Sequence, residues 1–410
     1  LSWEWKVTGR LVIVGAGQAA FALASKLRAL KDERAITIIG SEDAYPYQRP
    51  PLSKKYLLGE MSFDRLMFRP EEWYAENNVD IRLSTWVEEI DRAGKTVRMQ
   101  DGSTLSYDRL VLATGAAPRL LPASIGGDLD GVLTVRDRRD ADRLTEEMKP
   151  GRRLLVIGGG YIGLEAAAVA RKLGLEVTLI EMADRILQRV AKETADIMRG
   201  IHQAQGVSIR EKTGLVRLVG MDGRVAAAEL SDGSTIDVDF VIVGIGVTPN
   251  DRLARESGLD VGNGIVVDEY TRTSDPAIHA VGDCALLPWH GQQVRIESVQ
   301  NAVDQAEAAA AVLAGMEAVY DAKPWFWSDQ YDVKLQIAGF NLGYDETILR
   351  PGAREGSWSI WYFRDGRFVA VDAVNDAKAY VAGKKLLDTA AQPDRTILAD
   401  PSADLKLLLS

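Results

Sequence analysis

Two glycine-rich hexads, Gly15-Ala16-Gly17-Gln18-Ala19-Ala20 and Gly158-Gly159-Gly160-Tyr161-Ile162-Gly163, have the residue types and spacing to cradle a pyrophosphate. Glycine at the first two fixed positions lets the backbone turn sharply and approach an anion closely. A helix opening at that point adds unpaired N–H groups and the positive end of its dipole. Ala20 stands at the third position of the first copy and Gly163 at that of the second, and both are small enough for close helix–strand packing. A single G-x-G-x-x-G string carries little weight. Two of them, each after an apolar strand and before a helical run, argue for two dinucleotides on one chain.

The strands that must position these turns are Leu11-Val12-Ile13-Val14 and Leu154-Leu155-Val156-Ile157. Both are apolar on both faces, as buried parallel strands are when helices cover each side of a sheet. A carboxylate at the end of the following strand would receive the ribose hydroxyls. In the second copy Val177-Thr178-Leu179-Ile180 runs into Glu181, 23 residues after Gly158. A carboxylate there accepts from the 2′-OH and repels a 2′-phosphate, so this site reads as one for NADH rather than NADPH. Met182 and Ala183 supply no cation for a phosphate, and Arg185 is the nearest one. In the first copy Ile36-Thr37-Ile38-Ile39-Gly40 is followed by Ser41 and Glu42; Glu42 is the candidate ribose contact, and Asp43 reads as a solvated strand end.

The repeat extends beyond the turns. Asp101-Gly102-Ser103-Thr104 precedes an apolar strand ending Ala113-Thr114-Gly115, and Asp232-Gly233-Ser234-Thr235 precedes one ending Gly244-Ile245-Gly246; both features recur at the same offset of 131 residues. Each half therefore reads as a βαβ unit, a small meander with a DG turn, and a returning strand that ends in glycine. The expected fold is α/β, with two Rossmann-like dinucleotide-binding domains and a C-terminal α+β domain, an arrangement that resembles the glutathione-reductase type. The boundaries expected are 1–115 with 247–323 for an FAD domain, 116–246 for an NADH domain and 324–410 for the last. That last segment carries Trp325, Trp327, Trp358 and Trp361 among short alternating strands, an Asp365-Gly366 hairpin, and a short amphipathic helix near 404–409. Trp358 and Trp361 read as core.

Composition narrows the chemistry. A net charge of −10 and three scattered histidines argue against a nucleic-acid surface, and no cluster has metal-ligand spacing, so no metal site is expected. No apolar run approaches the roughly 20 residues that cross a bilayer. The N-terminal Leu1-Ser2-Trp3-Glu4-Trp5 lacks the charge and apolar core of a secretion signal, so a cytoplasmic location is expected. The single cysteine, Cys284, excludes a redox-active disulfide within the chain and an all-cysteine iron–sulfur cluster. Electrons that enter must leave to something outside the chain, and Cys284 itself reads as a small buried filler.

The two glycine turns, Tyr45-Pro46-Tyr47-Gln48-Arg49-Pro50-Pro51-Leu52-Ser53-Lys54, Ala113-Thr114-Gly115, Gly163-Leu164-Glu165, Ala280-Val281-Gly282-Asp283 and Pro324-Trp325-Phe326-Trp327-Ser328-Asp329-Gln330 carry a resemblance over essentially the whole chain. The sequence resembles the NADH-dependent, FAD-containing ferredoxin reductases that serve bacterial Rieske dioxygenases and cytochrome P450 systems. The PPLSK and W-x-W-S-D-Q tracts are the more specific matches; the glycine turns and the GD segment are shared by many flavin reductases.

The resemblance implies that Asp283 accepts a hydrogen bond from the ribityl chain of FAD and that Arg49 and Lys54 lie beside the isoalloxazine. It pairs Lys54 with Glu165 across the two nucleotide domains, orienting the nicotinamide. Ala19, Val87, Arg136 and Val299 would line the FAD along with Gly15, Gly17, Ala20, Ala113, Thr114 and Gly115. Gly158, Gly160, Ile162, Gly163 and Gly246 would serve the nucleotide beside Glu181. Trp327 would shield the flavin edge that faces the partner, a [2Fe–2S] ferredoxin feeding an oxygenase, with Lys334, Lys378, Lys384 and Lys385 as candidates for its docking patch. Two other classes share the paired folds. A membrane quinone reductase usually carries a longer amphipathic anchor than Leu405–Leu409 provides, and an interaction protein resembling apoptosis-inducing factor would use NADH as a signal.

Overall fold

The computed structural model describes residues 9–409, so the Leu1–Trp5 stretch lies outside the described residues. The chain forms two compact units: one comprises the residues up to Gln48, Phe63–Ala117 and Thr248–Ala322, and the other Arg49–Ser62, Pro118–Val247 and the chain from Lys323 onward.

In the first unit, β1 (Arg10–Val14) leads through the first glycine turn into α1 (Gln18–Ala29), and β2 (Ala35–Ile39) returns parallel to β1 in the register Leu11 to Ile36 and Val14 to Ile39. A five-stranded parallel sheet results, in the order Ile278–Ala280, Arg109–Leu112, β1, β2, Val79–Arg82. The run Leu11 to Ile13 is fully buried, as its two-faced apolarity requires. Alanines let the helix Val299–Leu313 pack closely on α1: Ala302, Ala306, Ala309 and Ala310 share a core with Ala20, Leu23, Ala24 and Leu27. A three-stranded antiparallel meander, Val87–Asp91 with Thr96–Met99 and Thr104–Ser106, completes the repeat pattern in this unit.

The second unit repeats the plan. β3 (Arg153–Ile157), α2 (Tyr161–Lys172) and β4 (Glu176–Ile180) form its βαβ core, within a parallel sheet ordered Ser208–Arg210, β4, β3, Phe240–Val243, Val132–Leu133. Its meander joins Leu215–Met221, Arg224–Leu230 and Thr235–Asp237. The two DG turns match in detail. Asp101 Oδ1 accepts from the Ser103 N–H at 2.9 Å and Asp232 Oδ1 from the Ser234 N–H at 2.9 Å, with Gly102 and Gly233 at φ of 80° and 84°.

Most of α2 is buried, from Gly163 to Ala170, because a strand of the C-terminal sheet covers the side that β3 does not. That sheet has five antiparallel strands in the order Trp325–Gln330, Val333–Gly339, Arg367–Val374, Trp358–Arg364, Glu346–Pro351, and the helix Ala377–Thr389 packs against it. Trp361 is fully buried there with Phe363, Phe368 and Leu386. The hairpin at Asp365-Gly366 turns with both residues at positive φ, 49° and 73°, which matches strand twist. Leu405–Leu409 is a single 3-10 turn rather than an α-helix, burying Leu405 and Leu408 and exposing Leu407.

Candidate functional site

The first glycine turn is built for close approach. Gly15 takes φ of 110°, and a Cβ there would sit 2.1 Å from the Ala113 carbonyl oxygen, so only glycine fits. Gly17 is the N-cap of α1, and a Cβ added to it would meet nothing within 4 Å. Neither a capping side chain nor an acidic residue occupies the first turn of α1, so its N–H groups remain available to an anion. Gly158, Gly160 and α2 repeat this arrangement: Gly158 takes φ of 104° with its missing Cβ 2.4 Å from the Gly244 oxygen, Gly160 faces open space, and the first turn of α2 has no cap or acid. At Gly163 a Cβ would lie 2.2 Å from the Gly158 oxygen, which explains glycine at the third position. Both turns therefore fit a pyrophosphate. Ala19 and Ala20 are buried against the core and act through packing.

Glu181 ends β4 at the second turn. One carboxylate oxygen accepts from the Gly159 N–H at 2.8 Å and the other from the Ala183 N–H at 2.8 Å, so the side chain is held at the glycine turn with lone pairs to spare. Arg185 turns its guanidinium onto the carbonyls of Leu187 at 2.8 Å and Val190 at 2.7 Å. The nearest cation in sequence is thus engaged with backbone oxygens. Ile162 and Met182 are exposed beside this turn. In the first unit Glu42 accepts from the Tyr47 hydroxyl at 2.5 Å.

Thr114 Oγ1 donates to the Asn250 oxygen at 2.7 Å, and the Asn250 amide returns a bond to the Thr114 oxygen at 2.8 Å, fixing the backbone before Gly115. Asp283 lies in the 3-10 turn Gly282–Cys284, whose start is held by the Gly282 N–H donating to Gln305 Oε1 at 2.8 Å. Val87 is buried at the start of its strand, and Val299 opens a helix capped by Ser298. Cys284 is buried, with its thiol 3.3 Å from the Val281 oxygen and 3.4 Å from that of Leu112. Burial pushes its pKa up, away from the reactive thiolate.

The second unit gathers the other candidates. The segment Arg49–Ser62 packs there, so Arg49 NH1 donates to the Arg136 oxygen at 3.1 Å, and Lys54 Nζ lies 3.0 Å from Glu165 Oε1 within one unit. By contact, residues 49–62 therefore group with the second unit, whereas the boundaries expected from sequence put them with the FAD domain. Glu165 is 4% exposed in the middle of α2, and Lys54 is 17% exposed. Burial raises the Glu165 pKa, while Lys54, Ser328 and Ser53 pull it back. Ser328 Oγ donates to Oε1 at 2.6 Å and Ser53 Oγ to Oε2 at 2.9 Å, so the carboxylate has three donors.

Ser53 and Ser328 were not singled out from sequence. The signal available was the two-residue period of Trp325–Gln330. Phe326, Ser328 and Gln330 share one face, where Phe326 meets Tyr161 with ring centroids 4.5 Å apart and Ser328 meets Glu165. Trp325 and Trp327 share the other, with centroids 5.6 Å apart. The structure therefore does not bring Trp327 against Glu165; it places the two on opposite sides of one strand. Gly246 takes φ of 96° beside open space, and its oxygen accepts from the Arg119 N–H at 2.9 Å.

Two glycine turns of this geometry on paired parallel sheets define a class of two-dinucleotide oxidoreductases. The pyridine nucleotide-disulphide oxidoreductase family matches residues 9–306 and the reductase C-terminal domain matches 325–409. The chain belongs to that family. It is 43% identical to rhodocoxin reductase of Rhodococcus erythropolis over 98% of this chain and 94% of the relative, and 40% identical to putidaredoxin reductase of Pseudomonas putida over 98% and 96%. It is 42% identical to the ferredoxin–NAD(+) reductase component of an anthranilate 1,2-dioxygenase system of Burkholderia cepacia, over 97% and 98%. Among solved structures, the covalent putidaredoxin reductase–putidaredoxin complex superposes with a TM-score of 0.95 at 39% identity, covering 98% of each chain. Members of the family use FAD and a pyridine nucleotide. The fold carries the family's name without its disulfide, since Cys284 is the single cysteine. Among the described residues no helix is long and apolar enough to cross a membrane.

Proposed function

We propose that this protein is an NADH-dependent flavoprotein reductase that delivers electrons through FAD to a [2Fe–2S] ferredoxin serving an oxygenase, either a Rieske dioxygenase or a cytochrome P450. The observation that carries the reading is the pair of uncapped glycine turns, the second with the Glu181 carboxylate held at the turn, on a chain similar from end to end to ferredoxin reductases. FAD, when bound, would supply the coupling of a two-electron donor to two one-electron acceptors.

This chain's own residues bind and orient. Gly15, Gly17, Ala19, Ala20, Ala113, Thr114 and Gly115 form the FAD cradle in the first unit, with Glu42 toward the ribose and Asp283 toward the ribityl chain. Val87 and Val299 add apolar or backbone contact. Gly158, Gly160, Ile162, Gly163 and Gly246 hold NADH in the second, and Glu181 selects a free 2′-hydroxyl over a phosphate. Residues up to 115 with 247–323 act as the FAD domain, 116–246 as the NADH domain, and 324–410 as the outlet. Lys54, beside Arg49 and Arg136, presents a cation fixed by Glu165, which favours negative charge arriving on a neighbouring ring. Trp327, on the face of its strand turned away from Glu165, forms the outlet toward the ferredoxin, and exposed Lys334, Lys378 and Lys385, with Lys384, offer positive charge to an acidic partner. A cytoplasmic location suits a partner ferredoxin kept with its oxygenase, and fractionation of the source cells tests it.

The function is tested by steady-state oxidation of NADH with cytochrome c as final acceptor and [2Fe–2S] ferredoxins added in turn. A rate that rises and saturates with at least one ferredoxin is expected. NADH oxidation that no ferredoxin accelerates, at full FAD content, overturns the reading.

A further inference from the structure

Beyond Ser328 the donors do not end. Gln330 Nε2 donates to Ser328 Oγ at 3.0 Å, and Gln330 Oε1 lies 2.7 Å from His202 Nε2. His202 Nδ1 lies 3.3 Å from the Tyr331 hydroxyl. Ser328 has one proton, which it gives to Glu165, so it must accept from Gln330. The amide orientation is thereby fixed, with its oxygen toward His202. His202 must then carry its proton on Nε2 and accept from Tyr331 on Nδ1. Every donor in the series Tyr331, His202, Gln330, Ser328 points the same way and ends on the carboxylate of Glu165.

The setting makes this series consequential. Glu165, His202, Ser328 and Gln330 are all buried, at 4%, 0%, 0% and 1% exposure, so water cannot replace a lost partner. The only charged group bonded to Glu165 among the described residues is Lys54, with Ser53 and Ser328 as neutral donors. His202 bonds to Gln330 and Tyr331, both neutral, and Arg171 is the charge that acts on Tyr331. His202 sits near the end of the helix Lys192–Ala204, where burial lowers its pKa.

We propose that His202 and Gln330 are positioning residues for the Lys54–Glu165 pair: acting through Ser328, they hold the Glu165 carboxylate as an acceptor turned to Lys54 and so keep that cation fixed for flavin reduction by NADH. The inference rests on the proposed reductase function and deepens it. Burial already moves Glu165 toward protonation, and protonation weakens its hold on Lys54 as pH falls. Removing the aligned donors moves that loss to higher pH.

The test uses the FAD-loaded enzyme, with anaerobic stopped-flow reduction by saturating NADH from pH 5.5 to 8.5. His202→Leu and Gln330→Met each remove one link, and His202→Gln restores an N–H toward Gln330. For the two apolar variants the acid limb of the rate profile is expected to move up by about one pH unit, making reduction up to about tenfold slower along that limb at unchanged FAD content. His202→Gln is expected to recover the unaltered profile. Apolar variants that superpose on the unaltered enzyme overturn the inference, as does a uniform loss at every pH that His202→Gln does not restore. If His202→Leu does not fold, Gln330→Met decides by the same criteria. An unaltered enzyme that NADH does not reduce overturns the proposed function itself, which separates the two failures.

Discussion

Lys54 Nζ lies 3.0 Å from Glu165 Oε1, joining the residue that ends the Pro50–Ser53 turn to one in the buried middle of α2. The two ends differ in burial, 17% against 4%, so their removal has unequal consequences. Lys54→Met strands a carboxylate that water cannot reach and is expected to cost about 3–5 kcal/mol in stability. Glu165→Ala leaves a cation that reaches solvent, costs less, and is expected to slow flavin reduction by NADH about tenfold or more while FAD stays bound. Urea unfolding and stopped-flow reduction check both, and unchanged reduction in Glu165→Ala removes that residue from the site.

At the second glycine turn, Glu181→Arg removes the ribose acceptor and its repulsion of a 2′-phosphate. The preference for NADH over NADPH, measured as the ratio of kcat/KM values, is expected to fall by about tenfold or more, the worth of a hydrogen bond to a charged group. A Glu181→Arg variant with an unchanged ratio contradicts the role of this carboxylate.

Asp372 is fully buried in the C-terminal sheet, accepting from Thr194 Oγ1 at 2.6 Å and from the Tyr362 hydroxyl through one oxygen, while its other oxygen has no partner among the described residues. Burial raises its pKa from 3.8 to about 6. A raised folded-state pKa means that the folded protein binds the proton more tightly, so this contribution is full below pH 3.8 and is lost as pH rises through about 6. Asp372→Asn keeps an oxygen for both donors and removes the charge. It is expected to stabilise the protein at pH 8 by up to about 3 kcal/mol, with little effect at pH 4, as read by urea unfolding at the two pH values. No gain at pH 8 contradicts the account.

Trp327 lies beside Trp325, its ring tilted by 32°, on the side of its strand away from Glu165. Trp327→Ala is therefore expected to lower electron delivery to ferredoxin several-fold while NADH still reduces the flavin at close to the unaltered rate. Rapid-mixing reduction and steady-state ferredoxin reduction separate the steps. Equal losses in both would make Trp327 a general support of the flavin pocket.

What the sequence disclosed and what it hid follow from range. The glycine turns and the DG turns are written in contiguous residues: Gly15 and Gly102 take positive φ within short motifs whose spacing is read along the chain, although the carbonyl that excludes a side chain at Gly15 belongs to distant Ala113. The Glu181 carboxylate is legible for the same reason, since strand length sets its distance from Gly158. The donors to Glu165 are not local. Ser53 and Ser328 stand 112 and 163 residues from it, and a serine in a strand has no signature until its partner is known. The packing of 49–62 with the second unit was likewise hidden, because contacts of Leu57 and Leu58 with the core of that unit decide it rather than any break in composition.

In the proposed reaction electrons enter as a pair from NADH and leave singly to an iron–sulfur protein. The direct measurement is an anaerobic titration of the FAD-loaded enzyme, catalytic in amount, with NADH against an excess of the [2Fe–2S] ferredoxin that supports turnover, following ferredoxin bleaching. The account predicts two ferredoxins reduced per NADH consumed, and a far slower approach to that end point with NADPH. Flavin that NADH bleaches fully while the ferredoxin stays oxidised would contradict it.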